Sequence, residues 1–351
     1  MPDLPRTEDR ASNRGVRTMM VLITAIAVVT ALYFARPVFS PLAFALLVIA
    51  LVWPVQAWLQ ARMPQLVALA ISMSATIVTL LAFASTIAWG FSRVGRYIAA
   101  DAAQFQALYA QIVVWLEGHD IVVAGLWAEH FNVGWLIRAF QQITLRINGT
   151  LSFSVIVLIY VILGLLEVDL AARKLGALKG DAGRVLLAGG AQTALKLRRY
   201  MLVRTAMSVV TGLLVWAFIL ACGLPLATEW GVMAFAFNYI PFIGPLIATV
   251  LPTLFAVVQF DAWQMAILVF ACLNLIQFLV GSYLEPRIAG NILSISPFLV
   301  LFAVFFWTFL WGMSGAFIGI PIVIALLTIC EQHESSRWLA DLLGSKSGTR
   351  D

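Results

Sequence analysis

The stretch Asn238–Pro252, N-Y-I-P-F-I-G-P-L-I-A-T-V-L-P, sets three prolines and a glycine inside an apolar run, Trp230–Phe260, that carries no charge. A proline within a helix removes a backbone hydrogen bond and clashes with the preceding turn, at a cost of about 3 kcal/mol. In hydrocarbon, backbone groups freed in this way must be met by protein or by a wet cavity. The stretch therefore predicts a broken membrane segment, and broken membrane helices are where secondary transporters build their sites. The expectation is a multispanning membrane transporter.

Composition supports the membrane setting. The chain has 351 residues, 62% hydrophobic and 11% charged, where soluble domains carry about 25% charged residues. That excludes a soluble globular protein. The net charge of +5 comes from Lys and Arg gathered at the ends of apolar runs, as membrane topology demands. No segment has the basic face of a nucleic-acid binder, so no nucleic-acid partner is expected. Cys222, Cys272 and Cys330 lie in or at the ends of apolar runs and read as buried small hydrophobes. Neither a disulfide framework nor a zinc spacing is present in the sequence, and no metal or other cofactor is expected.

The organisation follows from the apolar runs. Residues 1–92 hold a polar leader with Arg6, Arg10, Arg14 and Arg17, then spans over Met19–Ala35, Leu42–Leu59 and Leu66–Phe91. Each is long enough for a bilayer core, which takes about 20 residues. The leader reads as preceding an uncleaved first span. Residues 93–149 carry two amphipathic series, Leu108, Ile112, Trp115, Leu116 and Leu136, Phe140, Ile143, Ile147, expected to lie on the membrane or cap the protein. His119, Asp120, Glu129 and His130 in this region have no metal-ligand spacing and read as interfacial polar residues.

Residues 150–204 contain the fourth span, Leu151–Leu166, and a basic segment. In that basic segment, Val168–Arg204, the residues Arg173, Lys174, Lys179, Arg184, Lys196, Arg198, Arg199 and Arg204 face only Asp169 and Asp181. By the positive-inside rule this segment is cytoplasmic, which puts both termini in the cytoplasm. Residues 205–330 form the transport core: Thr205–Gly223, the broken Trp230–Phe260, Ala262–Leu284 and Phe298–Cys330. Residues 331–351 form a cytoplasmic tail. A 33-residue helix, the length of Phe298–Cys330, would be about 50 Å long in a hydrocarbon layer of about 30 Å. The sixth and eighth runs are thus too long for straight spans, and whether they cross or re-enter stays open. Phe242-Ile243-Gly244-Pro245 and Phe317-Ile318-Gly319-Ile320-Pro321 form a matched pair of interruptions, the best pointer to a transport site. Simple kinks are the alternative.

Asn274, Gln277, Gly281 and Glu285 fall on one helical face. They predict either a polar track facing Asn238 and Tyr239 or helix-packing hydrogen bonds. Glu285 and Arg287 are expected near an interface or facing each other, as a coupling or gating pair or as a structural salt bridge. Gly312-Met313-Ser314-Gly315 resembles the G-x-S-G of rhomboid-type intramembrane proteases. A serine nucleophile needs a base within reach, and His119, His130 and His333 all lie outside the spans. The expectation is a non-enzyme, with small-residue helix packing as the role of this motif. No G-x-x-x-x-G-K-[ST] is present for ATP.

The second half also carries a family pattern. Tyr200, Thr205, Ser208 and Gly212 are followed by Gly223 and Trp230-Gly231. Then come Phe237-Asn238-Tyr239-Ile240-Pro241, Ile243-Gly244 and Pro252. Leu284-Glu285-Pro286-Arg287, Gly290, Ser296-Pro297, Trp307, Leu310-Trp311-Gly312, Gly315 and Pro321 complete it. In order and spacing this resembles the autoinducer-2 exporter (AI-2E) family of bacterial membrane transporters. Thr308 stands where that family tends to have glycine, and the first 195 residues match only in hydropathy. The resemblance implies about eight membrane segments, a homo-oligomer in the bacterial inner membrane, and export of a small polar signal or metabolite. Sodium/proton antiport is the alternative that some relatives suggest.

The expected architecture is an all-α polytopic helical membrane protein with two Gly/Pro-broken or re-entrant segments. Asn238, Tyr239, Pro241, Gly244 and Pro245 are expected as gate or cradle, with Gly315 and Pro321 on the facing run. Asn274 and Gln277 would supply hydrogen bonds, and Glu285 with Arg287 coupling or gating.

Overall fold

Apolar runs of this length take the helical form in hydrocarbon because each backbone N–H and C=O must find its partner within the segment. The computed structural model describes residues 7–118, 133–178, 181–260, 262–289, 295–332 and 336–343. The helices in chain order are α1 Thr7–Phe34, α2 Arg36–Gln60, α3 Gln65–Ala100, α4 Ala102–Glu117, α5 Val133–Gly176 and α6 Asp181–Ala221. They continue as α7 Ala227–Phe237, α8 Ile243–Phe260, α9 Trp263–Phe278, α10 Glu285–Ala289, α11 Pro297–Trp311, α12 Met313–Glu331 and α13 Arg337–Leu343. A π-helical turn, Leu279–Leu284, joins α9 to α10. Among the described residues, eight stretches are long and apolar enough to cross a bilayer, and α11 is a shorter apolar helix. The protein is an all-α polytopic membrane protein.

The predicted amphipathic series fall on helical backbone in α4 and the start of α5, with their side chains outside the described set. His119, Asp120, Glu129, His130 and His333 also lie outside the described residues.

The spine is α6, 41 residues and so about 60 Å long. It carries the end of the basic segment and the predicted fifth span in one unbroken helix. Around it pack α2, α5, α7, α9, α10, α12 and the π-helical turn. Beside the spine, α2, α3 and α5 close on Ala45, Val48, Leu69, Met73, Val157, Val161 and Leu165. Large apolar side chains cover much of the outside, for example Val78, Leu202, Phe298 and Phe309. In a bilayer such side chains cost nothing, since lipid tails are as apolar as leucine.

The two over-long runs both turn back. At 11 residues, α7 is only about 16 Å long, and after Asn238–Phe242 the chain returns as α8. The open end of this first hairpin sits at the end of α3. Glu229 pairs with Arg93 at 2.7 Å, and Gln259 accepts from Tyr97 at 3.0 Å. The second hairpin, α11 and α12, turns at Gly312, which has φ +65. Its open end sits at the first half of α6, where Glu331 pairs with Lys196 at 2.6 Å. There Gln332 also donates to Gln192 at 2.8 Å. The residues that follow Ala221 pack against the end of α3, since Leu224 clusters with Val94, Ile98 and Trp230. The hairpins therefore enter from opposite ends of α6.

The second break differs from the expected one. Phe317–Pro321 lies inside continuous α12, and the chain reverses at Gly312. The glycines of that stretch serve packing. A Cβ on Gly315 would overlap the Trp307 carbonyl, and one on Gly319 would lie 3.1 Å from the Ala303 carbonyl oxygen. Gly244 does the same job in the first hairpin, lying against the Phe237 carbonyl. The two hairpins are thus matched through Gly244 and Gly315. Thr308, the departure from the family pattern, turns its hydroxyl back to the Val304 carbonyl of its own helix.

Enlarging these glycines should force the arms apart. Gly315→Val should lower stability by about 1–3 kcal/mol, read as a drop in the melting temperature of the purified protein in detergent. Gly190→Ala, where a Cβ meets nothing within 4 Å, should leave the melt unchanged or raise it, since alanine is the better helix former by up to about 1 kcal/mol.

Candidate functional site

Along α6, Tyr200, Arg204, Ser208 and Thr211 recur at helical spacing, so they share one face. All four are buried. The first hairpin lies against this face, and glycines on both sides set the separation. A Cβ on Gly212 would lie 2.9 Å from the Gly231 carbonyl oxygen and from Phe235 Cβ, and one on Gly231 would lie 2.8 Å from Trp216 Cβ.

The tip of the hairpin then meets polar groups. Asn238 Nδ2 donates to Ser208 Oγ at 3.2 Å, and Tyr239 Oη donates to Thr205 Oγ1 at 3.0 Å. The Tyr239 ring stacks on Phe317 of α12, with centroids 5.7 Å apart, and meets Phe83 of α3 edge-on. One aromatic side chain therefore ties both hairpins to the bundle. Pro241 sits in the break, and Pro245 occupies the third position of α8, where a helix has no use for the N–H that proline lacks. Pro241 is the one that ends the helix. Next to it Phe242 takes φ +63, a left-handed conformation that costs a non-glycine residue about 1–2 kcal/mol.

One turn of α6 from Ser208, Arg204 Nη1 donates to both oxygens of Glu285, at 2.8 Å and 2.9 Å. The side chains are 7% and 17% exposed. An arginine within a membrane segment costs about 2.5–3.5 kcal/mol on insertion scales, and Glu285 is its counter-charge. Arg204 Nε and Thr211 Oγ1 are buried with no hydrogen-bond partner.

The remaining expected site residues fall elsewhere. Asn274 is exposed and donates to the Phe270 carbonyl of its own helix at 2.8 Å. Gln277 is half-buried on the same helix. The predicted track through Asn274, Gln277, Gly281 and Glu285 breaks at the π-helical turn, because its wider turn shifts every later residue off the α-helical face. Arg287 does not face Glu285. It is exposed, and its guanidinium lies over the Tyr283 ring, 4.0 Å from the centroid. Gly315 and Pro321 lie buried in the second hairpin. Ser314 shares a 2.8 Å hydrogen bond with Ser40 and donates to the Trp311 carbonyl.

Sequence spacing alone does not single out the polar face of Arg204, Thr205, Ser208 and Thr211, although Thr205 and Ser208 stand in the family pattern. Arg204 was grouped with the basic segment. The available signal was a polar residue at each turn of an otherwise apolar run, together with a Glu285 in need of a cation.

Comparison with known proteins bears on the same elements. A family model described as AI-2E family transporter matches residues 22–335. The chain belongs to the AI-2E transporter family. Among its relatives is the AI-2 transport protein TqsA of Escherichia coli (strain K12), 27% identical over 335 residues, which covers 94% of this chain and 96% of that protein. The putative transport protein YhhT of Escherichia coli (strain K12) is 33% identical over 156 residues, 44% of each chain. A putative transport protein of Borreliella burgdorferi is 34% identical over 134 residues, 38% of this chain and 37% of that protein. This AI-2E member is a multi-pass transporter of the bacterial inner membrane.

The buried pair has a specific signature. Arg204→Gln leaves a carboxylate without its cation and should cost about 3–5 kcal/mol. The double variant Arg204→Gln/Glu285→Gln should recover most of that loss in thermal melts, because both charges have gone.

Proposed function

We propose that this AI-2E transporter exports a small polar signal or metabolite past the tip of its first hairpin. The observation that carries the reading is the docking of Asn238 and Tyr239 onto Ser208 and Thr205 beside the Arg204–Glu285 pair. Polar groups grouped at a helix break inside a membrane protein are the usual makings of a solute site. Pro241, Gly244 and Pro245 shape the break, and Gly315 and Pro321 belong to the opposing hairpin. The tip is occluded, with Asn238 and Ser208 both buried, so transport requires the hairpin to move relative to α6. The name of TqsA makes autoinducer-2 one candidate solute.

The basic residues at the start of α6 favour placing that end in the cytoplasm, with both termini. The first hairpin then opens to the outside and the second to the inside. A homo-oligomer is carried over from the family pattern. Transport without catalysis accords with the hydrogen bonds that hold Ser314. Sodium/proton antiport is the second reading, favoured by the partly buried Glu285 carboxylate.

Flux from vesicles loaded with autoinducer-2 or a panel of small metabolites tests the first reading. Tyr239→Phe and Asn238→Ala should each cut efflux by about tenfold, the loss of a contact to the solute worth about 1.4 kcal/mol once the tip has left α6. Thr79→Ala, whose hydroxyl only meets the Ala75 carbonyl, should leave it unchanged. Undiminished efflux in both tip variants would remove the tip from the pathway. Sodium-driven proton flux that disappears in Glu285→Gln would instead establish the antiporter.

A further inference from the structure

We propose that Arg204 is the binding group for an anionic solute. A small carboxylate or phosphate would accept from its unpartnered Nε–H and compete with Glu285, which is bonded to Nη1, for the charge of the same guanidinium. This rests on the transport reading and adds the chemical class of the solute.

The hydrogen-bond inventory of the site carries the argument. A guanidinium has five N–H donors in a planar fork and stays charged at every relevant pH. Glu285 uses one nitrogen, Nη1, for both of its oxygens. The Nε–H is buried and unpartnered in a residue only 6% exposed. A donor left bare inside a membrane protein is expensive, and an oxyanion is the partner that its charge and planar geometry favour. The same face holds a second unpartnered hydroxyl, Thr211 Oγ1. Between the two sit the Ser208 hydroxyl and the Asn238 amide. With the Tyr239 and Thr205 hydroxyls nearby, the surround is made of groups able to donate. A cation entering on the Nε side would meet donors, since both Glu285 oxygens are already held by Nη1, whereas an anion meets an unpartnered charged donor.

Exchange between Glu285 and the solute at one guanidinium gives the two variants opposite effects, which a purely structural salt bridge would not. The test uses the full chain in detergent micelles, with thermal melts against inorganic phosphate, acetate and glycerol at constant ionic strength. At least one anion should raise the melting temperature saturably, and glycerol should not. Glu285→Gln should bind that anion about tenfold more tightly, since a competing charged hydrogen-bond acceptor has gone. Arg204→Gln/Glu285→Gln, which keeps neither charge of the pair, should fold and lose the anion effect. Absence of a saturable shift in both the unmodified protein and Glu285→Gln would overturn the proposal. So would an equal shift in the double variant.

A lipid headgroup offers the same oxyanion chemistry. Phosphatidylglycerol in the micelles should compete with the free anion if a headgroup fills the site, and should be without effect if a free solute does. Flux in vesicles with no anion-dependent melt would sink the anion site alone. An anion-dependent melt with no flux would sink the transport reading alone.

Discussion

Backbone polar groups that leave a helix inside hydrocarbon must be satisfied by protein, and this constraint explains where the chain places its polar side chains. The first hairpin reverses at Asn238–Phe242 within a run that carries no charge. Local bonds meet part of the demand: Ile240 N–H donates to the Phe237 carbonyl, and Gly244 N–H donates to the Ile240 carbonyl. Side chains at the tip then bond to Thr205 and Ser208 on α6. The second hairpin follows the same rule with other residues. Its turn at Gly312 is held by Trp311 Nε1 donating to the Leu32 carbonyl at 3.1 Å, and by the Ser40–Ser314 contact. A spine that lacked hydroxyls at this depth would leave the first tip without partners.

The legible part of this fold was the part written in hydropathy and proline. The apolar runs, their number and the break at Asn238–Pro241 follow from bilayer thickness and from the missing N–H of proline. The second break was misplaced because Phe317–Pro321 looks like Phe242–Pro245 in letters. What bends the chain is a positive φ, and Gly312 supplies it without any proline beside it. Gly319, the glycine inside the look-alike stretch, answers a packing demand that only the partner helix α11 reveals. In the same way the π-helical turn leaves no mark in side-chain chemistry. The wider π-helical turn at Leu279–Leu284 separates Glu285 from Asn274, which α-helical spacing puts on one face.

Arg204 escaped for a different reason. Its neighbours Lys196, Arg198 and Arg199 belong to the basic segment, and charge counting cannot tell which member of such a cluster lies buried in the bundle. Burial decides that, and the counter-charge comes from Glu285, 81 residues away in sequence. Resemblance to the AI-2E family had picked out Glu285 and Arg287 together, as neighbours in one motif. The fold separates them, turning one toward the spine and the other onto Tyr283.

The contacts at the tip also set how freely the hairpins can move. Separating the first tip from α6 breaks two neutral hydrogen bonds, each worth about 1 kcal/mol net, and one aromatic stack worth about 0.5–1.5 kcal/mol. The sum is a few kcal/mol, the gap at which a second conformation is still populated at the level of about 0.1–10%. The Arg204–Glu285 bond lies on α6 and α10 and need not break for the tip to leave, so the costliest interaction in the region stays outside the movement. Tyr239 does have to give up Phe317, which belongs to the opposite hairpin. A displacement of one hairpin is therefore felt by the other through this ring and through Ile240, which shares a buried cluster with Trp307 and Ile318. Two hairpins that open toward opposite ends of the spine and share that ring have a direct physical route by which movement of one alters the packing of the other.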